Sequence, residues 1–158
     1  MRKPRVYVET TVIGYLTSRP SKNPEVAGHQ KRTREWWTSA SSRFQLHISQ
    51  PVVDECAAGD QNAAAVRLGI LKPLQLLRTN PDAEQLAGRL LAADAVPRSQ
   101  PTDALHIAIA AANGIEYLVT WNFRHIANAF KLGDIERVCR AAGFEPPVIC
   151  SPDSLSEE

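Results

Sequence analysis

Val6-Tyr7-Val8-Glu9-Thr10-Thr11-Val12-Ile13 is the stretch on which the fold turns. Val6, Tyr7 and Val8 are β-branched or aromatic, and read as a short buried strand that closes on an acid. Two hydroxyl residues follow, and the apolar set Val12, Ile13, Tyr15 and Leu16 resumes behind them. Hydroxyls just before an apolar run suit a helix start, where they satisfy free backbone N–H groups. Glu9 therefore falls at the carboxyl end of a strand, facing a helix N-terminus.

Working outward, the same alternation recurs. Pro20 to Pro24 breaks the chain, and a polar, basic helix is expected from about Glu25 to Ser41. Leu46-His47-Ile48 is the second strand, followed by a helix opening at Ser49-Gln50-Pro51, where proline suits a first turn. A further helix is expected over Ala63–Ile70, a short strand at Leu74–Leu77, and a helix opened by Asn80-Pro81-Asp82. Thr102 to Ala112 is apolar almost all round, as in a buried helix, and Asn113-Gly114 is its stop. Ile115–Trp121 is the clearest strand, with Asn122 just past its end. Helices are expected in the Arg124–Phe130 region and over Ile135–Ala142, then a last strand at Val148-Ile149-Cys150.

Strands separated by helical segments require crossovers, hence a mainly parallel sheet with helices on both faces. The expectation is a single α/β domain over residues 1–150, an α/β/α sandwich, with a loose acidic tail over 151–158. In such sheets ligands bind beyond the carboxyl ends of the strands.

The 158 residues suffice for a sizeable core, and 44% hydrophobic with 22% charged residues is an ordinary globular balance. No apolar run approaches the roughly 20 residues needed to cross a bilayer, so neither a membrane anchor nor a signal peptide is read. Cys56, Cys139 and Cys150 are odd in number and widely spaced, which suits free thiols in a reducing cytoplasm better than disulfides or zinc. The net charge of +1 conceals an asymmetry. Residues 1–50 carry nine Lys and Arg against three acids, a net +6, and the remainder nine against fourteen, a net −5. A basic third could draw a polyanion to one face; a solvated helix face explains Lys31, Arg32 and Arg34 equally well.

Four positions carry candidate chemistry. Glu9 ends the first strand, Glu55 lies early in a helix, Asp103 opens the buried helix, and Asn122 follows the best strand. Clustered carboxylates are oxygen ligands for hard cations such as Mg²⁺ or Mn²⁺, which support phosphodiester hydrolysis. Singly, each acid has a plainer account. Asp103 would favour its helix dipole, Glu55 would be a surface acid, and Glu9 would pair with Arg5 or Lys3. His106 shares a helix face with Asp103, and His125 follows Asn122 by three residues. Contact with substrate is open to both, although a satisfied, partly buried histidine explains each more simply. For Trp36, Trp37 and Trp121, packing is a better account than stacking on unpaired bases.

Val6–Ile13, Pro51-Val52-Val53-Asp54-Glu55, Thr102-Asp103-Ala104-Leu105-His106-Ile107-Ala108 and Tyr117-Leu118-Val119-Thr120-Trp121-Asn122 resemble, in order, the four signature blocks of PIN domains. The resemblance spans about residues 4–150 and is strongest to VapC-type toxins of toxin–antitoxin modules. It implies a Mg²⁺- or Mn²⁺-dependent endoribonuclease, an RNA substrate, a cognate antitoxin protein and a homodimer. By position, Glu9, Glu55 and Asp103 match the family's first three acids, and Asn122 stands where many members have a fourth aspartate. Thr10 or Thr11 matches a hydroxyl residue lining the site. From its place just past Asn122, independently of the resemblance, Arg124 is the best candidate for a phosphate contact, a surface charge on a helix start being the plainer account. Two departures are visible: Glu9 is one methylene longer than the usual aspartate, and Asn122 contributes no negative charge. They keep a second reading open, a catalytically weakened PIN-fold module that binds RNA or protein. A small-phosphate phosphohydrolase is a third, disfavoured because the first strand lacks a DxDx(T/V) run.

Overall fold

The computed structural model describes residues 2–156. Five parallel strands form one sheet: β1 (Arg5–Val8), β2 (Gln45–Ser49), β3 (Gln75–Leu77), β4 (Tyr117–Val119) and β5 (Val148–Cys150). Their spatial order is β3-β2-β1-β4-β5. The chain steps outward from β1 through β2 to β3, then returns across β1 to lay down β4 and β5. Right-handed crossovers in opposite directions put their helices on opposite faces. One face carries α1 (Thr10–Thr17), α2 (Pro24–Arg43), α3 (Gln50–Ala57) and α4 (Gln61–Leu71); the other carries α5 (Pro81–Ala92), α6 (Pro101–Ala112) and α7 (Leu132–Ala141). The expected α/β/α sandwich is thus formed, with a sheet parallel throughout the described residues.

Local chemistry sets the helix starts. Asn23 accepts from the N–H groups of Glu25 and Val26, Asp60 from Ala63, and Asn80 from Ala83. Proline stands in the first turn of α2, α3, α5 and α6, where its missing N–H costs nothing. Helix α6 is buried along most of its length through Ala104, Ile107, Ala108, Ile109, Ala110 and Ala111. Gly114 stops it at φ +68°, a left-handed conformation, and Arg5 Nη1 sits 3.7 Å from where a Cβ would lie. The core continues through Val6, Tyr7 and Val8 on β1 and Leu118 and Val119 on β4.

Three expectations are corrected. The strand anticipated over 115–121 pairs only at Tyr117–Val119, because the Ile115 N–H instead closes the end of α6 on the Ala110 carbonyl. Residues 124–130 form turns rather than a helix. There the Asn122 side chain accepts the His125 N–H, Asn128 accepts from Phe130, and the Asn128 amide donates to the Arg124 carbonyl. Asparagine side chains compete in this way with the regular helical ladder. The tail is not loose over the described residues. Pro152–Leu155 forms a 3₁₀ turn against α2, with Pro152 buried and Arg43 donating to the Leu155 carbonyl. Glu157 and Glu158 lie outside the described residues. No helix among the described residues is long and apolar enough to cross a membrane.

Candidate metal centre at the carboxyl edge of the sheet

The return of the chain across β1 puts a crevice at the carboxyl ends of β1 and β4, where an open parallel sheet places its ligands. Glu9 directly follows β1 and is 2% exposed. Its Oε1 accepts the Thr11 hydroxyl at 2.5 Å and the Thr120 hydroxyl at 2.6 Å. Burial pushes the Glu9 carboxyl above its ordinary pKa, opposed by the positive potential of His106 and by those two hydroxyls. Neither basic residue considered as a partner reaches it: Arg5 donates to the Asn113 carbonyl and Lys3 to the Ser41 carbonyl.

Glu55, on α3, faces Glu9 across the crevice. Its Oε1 accepts from the Thr10 hydroxyl at 2.7 Å and lies 2.6 Å from His106 Nε2. Partial burial acts to raise its pKa. The His106 hydrogen bond and charge, with Thr10, outweigh that and hold the carboxyl below its usual value. Ligand atoms of Glu9, Glu55 and His106 all lie within 4.8 Å of one another.

Asp103 opens α6 and is 9% exposed. It does not fall inside that 4.8 Å group; its Oδ2 meets Asn122 Nδ2 at 3.3 Å and His125 Nδ1 at 3.2 Å. Asn122 also uses its amide oxygen to accept the His125 N–H at 2.9 Å. Asn122 therefore braces Asp103 and the following turn with both ends of its amide. Arg124 is exposed in that turn. The hydroxyls of Thr10 and Thr11, expected to meet substrate, are both donated to carboxylates. Trp121 is 9% exposed, stacks on His29 with ring centroids 4.1 Å apart, and donates its backbone N–H to Thr11.

Three site residues escaped the sequence: Tyr7, Ser49 and Thr120, the last read as strand centre although its hydroxyl holds Glu9. Tyr7 read as strand core, yet its hydroxyl lies 2.6 Å from both His106 Nδ1 and Ser49 Oγ. Ser49 read only as part of a helix start. The periodic signal of a buried strand carries no information about a hydroxyl at the far end of an aromatic ring.

The donor set suits a hard divalent cation. Glu9, Glu55 and Asp103 offer carboxylate oxygens, and among the described residues no Lys or Arg forms an ion pair with any of them. A carboxylate as buried as Glu9 is costly without a compensating charge.

The fold and these acids define a class, the parallel α/β proteins that gather carboxylates at a sheet edge. The family model described as PIN domain matches residues 6–131. The chain belongs to the PIN domain family. No curated protein matches it. Among solved structures it is similar to VapBC2 from Rickettsia felis, solved bound to a DNA fragment from their promoter. That match has 16% identity and a TM-score of 0.59, covering 91% of this chain and 96% of that one. It is also similar to VapC20 of Mycobacterium tuberculosis, a Sarcin-Ricin loop cleaving toxin. There the identity is 16% and the TM-score 0.56, with coverage of 90% and 99%. Identities this low speak to the fold alone.

Proposed function

We propose that the protein is a divalent-cation-dependent endoribonuclease acting as the toxin of a toxin–antitoxin pair. Glu9, Glu55 and Asp103 would hold Mg²⁺ or Mn²⁺. The observation that carries this reading is the buried Glu9 carboxylate, without a Lys or Arg partner among the described residues and facing Glu55 at the sheet's carboxyl edge, in a chain of the PIN family. A bound cation there supplies charge neutralisation at a phosphodiester and lowers the pKa of attacking water.

The protein's own residues do the rest. Thr11 and Thr120 aim Glu9, and Thr10 and His106 aim Glu55. Asn122 and His125 hold Asp103. Arg124, exposed two residues after Asn122, would meet a phosphate of the incoming strand. The toxin role is taken by analogy from the two similarly folded structures, one of VapBC2 and the other of a Sarcin-Ricin loop cleaving toxin. By that analogy the proposal includes a protein antitoxin, a homodimer and a cytoplasmic setting.

Cleavage of a structured RNA by purified protein tests the reading. Activity should require Mg²⁺ or Mn²⁺, vanish with EDTA, and fall at least 100-fold in Asp103→Asn, a mutant that keeps the side chain's shape. RNA binding without cleavage, unchanged by EDTA and by Asp103→Asn, would replace it with the weakened binding module that Asn122 favours.

A further inference from the structure

We propose that His106 is a positioning residue that fixes Glu55 through a buried relay from Ser49 and Tyr7, and is not itself a cation ligand. The inference rests on the metal-site reading above and extends it to three residues that the acid pattern does not include.

The relay is continuous. Ser49 Oγ lies 2.6 Å from the Tyr7 hydroxyl, which lies 2.6 Å from His106 Nδ1; His106 Nε2 lies 2.6 Å from Glu55 Oε1. Ser49, Tyr7 and His106 are each 0% exposed. An ionised carboxylate only accepts, so the proton between His106 and Glu55 belongs to Nε2. That N–H occupies the nitrogen lone-pair position a cation would need. The opposite nitrogen is taken by Tyr7, whose ring packs edge-on to the imidazole with centroids 5.8 Å apart. With both nitrogens engaged and no room to turn, the imidazole has one orientation, and Glu55 inherits it. Groups that hydrogen-bond ligating carboxylates set ligand geometry, and their loss characteristically weakens metal binding by about 10–100-fold.

The elements explain why the three residues meet. Tyr7 is on β1, Ser49 ends the neighbouring β2, and His106 lies one helical turn beyond Asp103 on α6. Glu55 sits on α3, so the relay ties the helix layers on both faces of the sheet to the same carboxylate.

The test uses full-length protein with ¹⁵N-labelled histidine, read by NMR with and without saturating Mg²⁺, and Mn²⁺ affinity read by EPR. The expected result is a protonated, hydrogen-bonded Nε2 at His106 in metal-free protein, retained when Mg²⁺ is added. Mn²⁺ affinity should drop about tenfold or more in His106→Leu and in Tyr7→Phe. His106→Gln, whose amide can donate in place of Nε2–H, should recover part of the loss, with RNA cleavage lowered in kcat more than raised in KM. Loss of the Nε2 proton on Mg²⁺ addition would overturn the inference by making His106 a ligand. So would a His106→Leu protein with wild-type Mn²⁺ affinity. If wild type binds neither cation, the metal-site reading fails on its own. The metal-free spectrum still decides the relay, because a His106 without a protonated Nε2, or one indifferent to Glu55→Ala, would refute it. Should His106→Leu not fold, Tyr7→Phe and the wild-type spectra suffice.

Discussion

The Thr120 hydroxyl and the Glu9 carboxylate, 111 residues apart in sequence, meet at 2.6 Å where β4 and β1 end side by side. Thr120 also accepts the Asn122 N–H at 2.9 Å, so one buried hydroxyl aims the first acid and shapes the turn carrying Asn122. Thr120→Val keeps the side chain's shape and removes both bonds. A hydrogen bond to a charged group is worth about 1.5–3 kcal/mol. Urea unfolding should show Thr120→Val destabilised by roughly 2 kcal/mol with an unchanged m-value.

Glu9 itself costs the metal-free protein stability. Its folded pKa is raised by burial, so the native state binds the proton more tightly than the unfolded chain does. The sign follows: the proton's stabilising contribution is complete below the ordinary Glu value near 4.3 and is lost as pH rises through the folded value. Glu9→Gln preserves the acceptor for Thr11 and Thr120 without the buried charge. At pH 7 in EDTA its Tm should exceed wild type by roughly 3 °C or more, while RNA cleavage disappears. A Tm equal to or below wild type would contradict the cost assigned to the carboxylate.

Asn122 stands where the resemblance to PIN domains implies an aspartate, and that acid can be put there. In Asn122→Asp the new carboxylate stands where the amide now donates to Asp103 at 3.3 Å, and two like charges so close repel. Metal-free stability should fall by on the order of 1 kcal/mol, and Mn²⁺ should restore more of it than in wild type. Calorimetry with Mn²⁺ should show tighter binding or a second equivalent.

Much of the fold was legible because its signals are local. Val6–Val8, Leu46–Ile48 and Val148–Cys150 are short apolar runs between helical segments, and that alternation leaves little choice but a parallel sheet. The failures had two origins, one local and one long-range. Asn122 and Asn128 turn the chain where residue propensity suggested a helix, and the 152–155 turn depends on distant Arg43 and buried Pro152. Glu9 and Asp103 stood out as charges bordering apolar elements. His106 showed only its helical spacing from Asp103, since its partners Glu55 and Tyr7 are 51 and 99 residues away.

His47, paired in register with Tyr7 of β1, gives the molecule a second acid-sensitive point. It is 3% exposed, and neither ring nitrogen has a hydrogen-bond partner. Burial, with the charge of Arg5, lowers its pKa in the folded state. The unfolded chain therefore takes up the proton first, and stability falls as pH drops below about 6.5, by at most about 1.4 kcal/mol per pH unit. His47→Leu should lose less stability than wild type between pH 7 and 5, read as the difference in urea midpoints.

The three thiols should be slow nucleophiles. Burial pushes Cys56, Cys139 and Cys150 each up to about 11, so little thiolate exists near pH 8. Iodoacetamide at pH 8 should label the native protein far more slowly than the urea-unfolded chain, as mass spectrometry would show.

The metal centre is the central claim, and a Mn²⁺-soaked crystal tests it most directly. The anomalous map should show a peak in contact with the carboxylates of Glu9 and Glu55 and facing Asp103, absent in Glu9→Gln. A map with no peak there, or with Mn²⁺ bound only at surface acids away from Glu9, would contradict the account.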